Sequence, residues 1–201
     1  DVRLPGMLLS VVARPAVLGG RVTSFDDTAA RKIPGVRHMV QISTGVAVVA
    51  DNTWAALQGR DALQLTVDPG ANVDLDDAKV GAALEAALSP LPELPAGAAK
   101  SLSERYDLPY LAHATMEPMN CVADVTDDAC VMWAPTQGPG GVQQDVARAL
   151  GRQATAVTVN VTLMGGGFGR RSQSDFAVEA AQISKAVGVP VQLTWTRADD
   201  M

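Results

Sequence analysis

The sequence has little positive charge, few histidines and no long apolar run, and each shortage excludes a class of protein. Its net charge is −6 and its isoelectric point is about 4.8, whereas a nucleic-acid binder normally carries a basic face. A membrane-spanning helix needs about 20 mostly apolar residues, and no such run occurs. With two histidines and no G-x-S-x-G elbow, a Ser-His-Asp hydrolase has no support. The adjacent Asp199 and Asp200 are expected to be solvated.

Cysteine is also scarce, and the two that occur, Cys121 and Cys130, are predicted to be free thiols. Their segment, CVADVTDDACVMW, is typical of a β-hairpin that turns at its Asp-Asp pair. In the register of a two-residue loop, Val125 faces Cys130 and Cys121 faces Ala134. The two sulfur atoms are then too far apart to form a disulfide.

The order of predicted strands and helices indicates an α+β fold. Residues 10–68 follow a β-α-β-β-α-β pattern, which is typical of a compact unit of that class. Residues 69–104 contain an alanine-rich helix candidate and the proline-rich stretch SPLPELPAGAAK, which marks an exposed connection. The chain then ends in a strand, a glycine-rich loop, a helix and a strand. We predict a domain at 1–70, a linker at 71–103 and a second domain at 104–201.

The glycine-rich loop MGGGFGRRSQSDF, residues 164–176, is the strongest candidate for a binding site. It does not complete the dinucleotide pattern G-x-G-x-x-G, because Arg170 stands where the third glycine should be, and Arg171-Ser172 is only a loose match to a P-loop. Glycines still let main-chain N–H groups converge on an anion, and Phe168, Arg170 and Arg171 suit a flat, phosphate-bearing ligand. The alternative is a tight strand-to-helix turn with two solvated arginines, and the loop alone does not decide between them.

Two further segments carry candidate functional residues. In APTQGPGG, Gln137 lies between a predicted strand and a predicted helix, where a rigid loop can present its amide. In LAHATMEPMNC, the residues His113, Glu117 and Cys121 have no zinc-site spacing, and Pro118 breaks any helix that would place them on one face. We therefore expect the second segment to organise a loop beside a site rather than to bind a metal.

Taken together, these segments resemble a known family. Four segments occur in the order AHATMEPMNC, WAPTQGPGG, MGGGFGRRSQSDFAVEA and PVQLTWTRADDM. This order resembles the molybdopterin-binding large subunits of the xanthine dehydrogenase and aldehyde oxidase family. Within that family the resemblance is strongest to the isoquinoline 1-oxidoreductase β-subunit and the related aldehyde dehydrogenase large subunits. The stretch GVAVVADNTWAALQGRDAL is similar to the α/β-hammerhead domain of that family. The resemblance covers most of the chain and is weakest over residues 70–103. It implies a hammerhead-like domain at 1–70 and part of a molybdopterin-binding domain at 104–201.

The resemblance also implies a reaction and a set of site residues. Such enzymes oxidise an aldehyde or hydroxylate an N-heterocycle at a molybdenum–pyranopterin centre, free or as a dinucleotide, and pass electrons to a 2Fe-2S small subunit. Gln137 would hydrogen-bond the apical oxo group of molybdenum, and Phe168 and Gly169 would approach the metal's labile oxygen; these three are the implied catalytic residues. The implied cofactor-binding residues, with no protein ligand to the metal, are Gln137, Gly165, Gly166, Gly167, Phe168, Gly169, Arg170 and Arg171.

Two departures from the family pattern limit what the resemblance implies. Ser172 stands where xanthine dehydrogenases have a substrate-binding glutamate, so a purine substrate is not expected. The chain of 201 residues has no residue that matches the catalytic glutamate of the family. We therefore predict a fragment that is inactive by itself and holds no molybdenum alone. The competing hypothesis is a non-catalytic module that binds a phosphate-bearing ligand or a protein partner through the glycine–arginine loop.

Overall fold

A seven-stranded mixed β-sheet organises the structure, a computed structural model that describes residues 2–201. The strands are β1 Leu8–Ala13, β2 Arg21–Asp26, β3 Val36–Ile42, β4 Gly45–Ala50, β5 Gln64–Asp68, β6 Asn120–Val125, β7 Cys130–Ala134, β8 Val157–Val161 and β9 Val191–Thr194. The helices are α1 Thr53–Asp61, α2 Asp77–Ala87, α3 Pro139–Leu150, α4 Asp175–Val187 and α5 Arg197–Asp200. Among residues 2–201, none of these helices is both long and apolar enough to span a bilayer.

The large sheet joins the first and last parts of the chain. Its strand order is β3-β4-β1-β9-β6-β7-β8, and β2 and β5 form a separate two-stranded sheet. The junction is the parallel pairing of β1 with β9, in which Leu8 faces Val191. A fold that combines helices and strands is therefore confirmed, and its large sheet contains both parallel and antiparallel pairs. The division at 1–70, 71–103 and 104–201 stays a prediction, and the sheet runs across it.

Strand β4 shows why the sheet is buried on both faces. All six of its residues are buried, and its alternate side chains enter two different cores. Val48 and Ala50 pack with α1, whereas Ala47 and Val49 belong to the larger core that α3 and α4 cover. Successive side chains of a strand point to opposite faces, so a continuous apolar run is what a doubly covered strand needs.

The helix boundaries follow the signals expected from the sequence. The side chain of Asn52 accepts a hydrogen bond from Ala55 N at 2.9 Å and caps α1. Gly151 and Gly188 end α3 and α4 in the left-handed conformation, at φ 67° and 71°. In the β-α-β-β-α-β pattern predicted for residues 10–68, the first helix is expected over DDTAARKI. This expectation is wrong in extent, since only a 3₁₀ turn forms at Ala30–Lys32. It ends at once because Pro34-Gly35 follows and leaves no room for a second turn.

Two further predicted segments, the linker and the hairpin, have clear local structures. Helix α2 forms within the predicted linker but buries none of its residues, and residues 88–119 contain no helix or strand. In the hairpin, Val125 faces Cys130, as expected for a two-residue loop. Both cysteines are free and buried, which confirms the prediction that they do not pair.

We predict that Gly45→Ala destabilises the chain by about 1–3 kcal/mol, the usual cost of overpacking a core. A β-carbon on this residue would lie 2.2 Å from the carbonyl oxygen of Ala13, so β1 and β4 would have to separate. Gly81→Ala in α2 is the matched control, since open space surrounds it. The control is expected to stabilise by about 0.5–1 kcal/mol. Urea unfolding measures both, and equal effects would contradict this packing.

We predict that neither thiol reacts in the native chain. Burial raises the pKa of Cys130 to about 11 and raises the pKa of Cys121 further, so almost no thiolate is present near neutral pH. Ellman's reagent at about pH 8 should detect no thiol before denaturation and both thiols after it. Rapid reaction of either cysteine in the folded chain would show that the core opens there.

Candidate functional site

The site forms where the pairing of β7 with β8 brings two loops together. These strands are parallel neighbours, in a register that sets Ala134 opposite Val161. Parallel strands end at the same edge of a sheet, and ligands bind beyond their carboxyl ends in many α/β folds. The loop after β7 contains Gln137, and the loop after β8 contains the glycines from Gly165 onward. The sheet therefore places the two predicted site segments side by side.

Hydrogen bonds join these two loops directly. Gly169 N donates to Gln137 Oε1 at 3.1 Å, and Gln137 N donates to the carbonyl oxygen of Arg171 at 3.0 Å. The hydroxyl of Thr136 donates to that same carbonyl oxygen at 3.0 Å. Gln137 and Gly169, 32 residues apart, are thus in contact.

The glycines permit approaches that a side chain would block. A β-carbon on Gly167 would lie 2.6 Å from Gln137 Oε1, and one on Gly165 would lie 2.6 Å from the β-carbon of Glu117. Gly166 has φ 99°, a backbone conformation that residues other than glycine rarely adopt. Phe168 is also left-handed, with φ 52°, although it is not a glycine, and it is 75% exposed. Such strain at an exposed aromatic is typical of a functional loop.

The loop also offers hydrogen-bond donors that the protein does not use. Within residues 2–201, no acceptor contacts the main-chain N–H of Gly166, Gly167 or Phe168, or the Nε2 of Gln137. Consecutive free N–H groups in a turn make a site for an anion or an oxygen-rich group. The donors, the glycine backbone and the exposed ring of Phe168 together fit a flat ligand that carries oxygen atoms.

Arg171 is not solvated, contrary to one of the two interpretations of the loop. Its side chain is completely buried and donates to the carbonyl oxygens of Gly166 (2.7 Å), Pro135 (3.3 Å) and Glu117 (2.6 Å). A further bond of 2.8 Å reaches Glu117 Oε2. Burial lowers the pKa of Arg171, and the nearby carboxylate of Glu117 opposes that shift. Contact with a cofactor phosphate stays a prediction for this residue, and its surroundings do not add support to it.

Arg170 is engaged by a second set of side chains. Its guanidinium donates to both oxygens of Asp175, at 3.2 and 2.9 Å, and lies 5.1 Å from the ring centre of Trp195. Arg14 lies over that same ring at 4.3 Å. Only 14% of the Arg170 side chain is exposed, so it is not solvated either. Its phosphate contact also stays a prediction.

Behind this tryptophan lies a buried carboxylate that sequence reasoning missed. Glu179 on α4 accepts hydrogen bonds from Arg14 (2.6 Å), Trp195 Nε1 (2.8 Å) and Thr44 (2.5 Å). Desolvation raises the pKa of Glu179, and Arg14 and the other donors oppose that shift. No spacing in the sequence could have found this cluster, because its members come from four distant segments.

The expectation that Asp199 and Asp200 are solvated is wrong. Asp199 accepts hydrogen bonds from Arg14 at 3.0 Å and from Arg60 at 3.3 Å, and it also closes the capping box of α5. The side chain of Asp200 is 1% exposed and pairs with Arg197. The arginines that bind Asp199 come from distant parts of the chain, which neighbouring residues do not reveal, whereas Asp200 pairs within α5 itself.

The structure separates the three residues that had suggested a metal. Among residues 2–201, no group of three or more His, Cys, Asp and Glu side chains could hold a metal ion. Cys121 lies in the core, and His113 is exposed. Glu117 does organise the neighbouring loop, as predicted, because its Oε2 accepts a hydrogen bond from Gly165 N at 2.8 Å.

Comparison with known proteins now identifies the family. A family model described as a molybdopterin cofactor-binding domain matches residues 92–201, more than half of the chain. The chain belongs to the molybdopterin cofactor-binding domain family. The resemblance drawn from the quoted motifs is thereby confirmed. The free N–H donors beside Gln137 lie within the matched range.

Relatives of the chain within this family are considerably longer. The isoquinoline 1-oxidoreductase subunit beta of Brevundimonas diminuta is 31% identical over 225 residues, which covers all of this chain and 28% of the relative. The membrane-bound aldehyde dehydrogenase [pyrroloquinoline-quinone] of Gluconacetobacter polyoxogenes is also 31% identical, over all of this chain and 29% of the relative. The chain therefore spans less than a third of the length of these relatives.

A solved structure shares the fold. The crystal structure of quinoline 2-oxidoreductase from Pseudomonas putida 86 superimposes on this chain with a TM-score of 0.78 at 21% identity, and covers all of this chain and 32% of the other. At this identity the match establishes the fold alone. It does not test the hammerhead assignment of residues 1–70, which stays a prediction.

We predict that Gly167→Ala displaces the side chain of Gln137 at little cost in stability, below about 1 kcal/mol, because a flexible side chain can move aside. The new β-carbon would overlap Gln137 Oε1 and break its bond to Gly169 N. Gly140→Ala, with nothing within 4 Å, is the control. The amide resonance of Gly169, followed by NMR, should shift in the first variant and stay unchanged in the second. An unchanged resonance in both would contradict the contact.

Proposed function

We propose that this chain forms part of the large subunit of a molybdenum hydroxylase, which oxidises an aldehyde or hydroxylates an N-heterocycle. Membership of the molybdopterin cofactor-binding domain family supports the cofactor, and the names of the two relatives support the two substrate classes. The single observation that carries the proposal is the row of free main-chain N–H groups at Gly166, Gly167 and Phe168 beside the amide of Gln137. Activity belongs to the whole protein, since the chain spans less than a third of these relatives.

The geometry supports a distinct role for each site residue. Gly165 and Gly167 let Glu117 and Gln137 pack directly against the loop, and Gly166 supplies the left-handed backbone of the turn that offers free N–H groups to the pterin. Phe168 presents its exposed ring at the same place. Gly169 acts through Gln137: its N–H occupies Gln137 Oε1 and so orients the amide with Nε2 free. That nitrogen is then the donor that meets an oxygen of the cofactor.

When bound, the molybdenum–pyranopterin supplies the redox chemistry, and the residues of this chain hold and orient it. The pre-set N–H groups do not need to reorganise when charge develops on the oxygens near them, which is the main benefit of such donors. Arg170 lies beside the loop, and contact between its guanidinium and a cofactor phosphate is part of the proposal.

The rest of the catalytic machinery is proposed to lie in other parts of the protein. No residue of this chain matches the glutamate base that the family resemblance implies, and a base must lie within hydrogen-bond reach of the proton it takes. A 2Fe-2S small subunit is the proposed electron acceptor. We therefore propose that residues 1–201 do not turn over substrate alone.

The test is to purify the full-length large subunit with its iron–sulfur partner and to measure molybdenum, pterin and quinone content. We expect about one molybdenum per large subunit, and oxidation of at least one member of a panel of aldehydes and N-heterocycles. One relative carries pyrroloquinoline-quinone in its name, so a bound quinone in place of molybdenum is the competing result. Quinone without molybdenum, or neither group, would overturn the proposal.

Gln137→Ala tests the role of the amide in that enzyme. Loss of a donor that stabilises developing charge should lower kcat by about a hundredfold, while molybdenum content stays unchanged. Gln153→Ala is the matched control, because Gln153 is exposed and its side chain makes no hydrogen bond within residues 2–201. Equal kcat values for the two variants would remove Gln137 from the mechanism.

A further inference from the structure

One buried arginine connects the three segments that build the site. The guanidinium of Arg171 reaches Gly166 in the glycine-rich loop, Pro135 in the Gln137 loop and Glu117 in the segment before β6. Its own carbonyl oxygen accepts the hydrogen bonds of Thr136 and Gln137. No other residue within 2–201 bonds to all three segments.

Glu117 completes the connection with every polar atom it has. Its Oε2 accepts from Gly165 N and from Arg171, both at 2.8 Å, and its Oε1 accepts from Asn120 at 2.9 Å. Its main-chain N–H donates to the carbonyl oxygen of Gly165 at 3.2 Å. The pair therefore holds the first two glycines of the loop through three hydrogen bonds.

The geometry of the peptide bond turns these contacts into an orientation. In a planar trans peptide, the C=O of one residue and the N–H of the next point in opposite directions, and the chain has no cis peptide within residues 2–201. Glu117 N holds the oxygen of Gly165, so the N–H of Gly166 points away from Glu117. Arg171 Nε holds the oxygen of Gly166 at 2.7 Å, so the N–H of Gly167 points away from Arg171. Both are among the free donors of the site.

The third free donor follows the same rule. Arg170 N holds the carbonyl oxygen of Gly167 at 2.8 Å, and the N–H of Phe168 is therefore turned away from it. Each free N–H thus follows a carbonyl oxygen that the protein binds. The bond of Arg170 N to the oxygen of Gly167 is the i to i+3 bond of an ordinary β-turn, but such a turn does not need a buried arginine on the oxygen of Gly166. Apolar replacements for a buried ion pair are often as stable, so stability alone does not account for this one.

We propose that Arg171 and Glu117 are a positioning pair, which aims the N–H groups of Gly166 and Gly167 at the bound cofactor. The proposal rests on the proposed function for the identity of the ligand, but its structural content concerns the loop alone. In this proposal the two side chains act without touching the cofactor, which is an alternative to the phosphate contact predicted for Arg171. Their effect passes through the two carbonyl oxygens of the loop and through Gly165 N.

The test uses Glu117→Gln and Arg171→Lys in the full-length protein with its partner subunit. Glutamine keeps the size of the side chain but cannot accept from Gly165, Asn120 and Arg171 at once, and lysine cannot span the acceptors of a guanidinium. Glutamine can keep the bond from Gly165 N only as a neutral one, and lysine loosens the carboxylate of Glu117, so hydrogen exchange at Gly165 N should speed up about tenfold in each variant. Retained pterin after dialysis should fall by a similar factor, and the double variant should lose no more than either single one.

Arg152→Lys is the matched control. This arginine also donates to two main-chain carbonyl oxygens, those of Ala129 and Thr126, but in the turn between β6 and β7, away from the site. It should leave both exchange at Gly165 and retained pterin unchanged. Should Arg171→Lys fail to fold, Glu117→Gln carries the test, because it removes charge without a change of volume.

Three results would overturn the proposal. The first is unchanged exchange at Gly165 together with unchanged pterin in folded Glu117→Gln. The second is an equal effect of Arg152→Lys, which would indicate general loss of stability. The third is additive loss in the double variant, which would indicate two independent residues. A wild-type protein without pterin would instead overturn the proposed function, while the exchange comparison would still decide whether the pair holds the loop.

Discussion

The interaction on which the site depends is the burial of one guanidinium among oxygen atoms of the main chain. Arg171 is fully buried and is surrounded by the carbonyl oxygens of Gly166, Pro135 and Glu117 and by one carboxylate. A buried charge is costly unless it is paired and hydrogen-bonded, so the three segments must meet in this arrangement for the charge to be tolerated. Because the buried charge needs all of these oxygen atoms, it restricts the loop to one backbone conformation.

A second constraint gives this arrangement its foundation. The parallel pairing of β7 with β8 sets the two loops side by side, and the pairing of β1 with β9 attaches the first part of the chain to the same sheet. Arg14, which follows β1, then reaches Trp195 and Glu179 behind the loop. Contacts of this kind connect the rigid sheet to a loop whose backbone is strained at Phe168. Strain at a functional loop persists only where the surroundings hold it.

Much of the local structure was predictable because its signals are local. Asn52 as a helix cap, Gly151 and Gly188 as helix ends, and the hairpin register that keeps the cysteines apart all depend on neighbouring residues. The predicted first helix of the β-α-β-β-α-β pattern is too long, since the stop at Pro34-Gly35 leaves too few residues for a stable α-helix. The burial of Asp199 was missed because its partners Arg14 and Arg60 come from other elements, although Asp200 pairs with Arg197 of its own helix.

The sequence by itself determined the elements, the candidate residues Gln137 and Gly165 to Arg171, and the likeness to molybdopterin-binding subunits, since these depend on residue type and order. Only the tertiary structure decided which protein atoms the two arginines contact. A guanidinium in a glycine-rich loop can bind a phosphate, remain in solvent or form buried hydrogen bonds within the protein. Sequence spacing does not distinguish these three roles. The choice depends on which oxygen atoms the fold brings within about 3 Å, the reach of a hydrogen bond. Pro135 and Glu117, distant in the chain, supply oxygens to Arg171, while Asp175 and Trp195 engage Arg170.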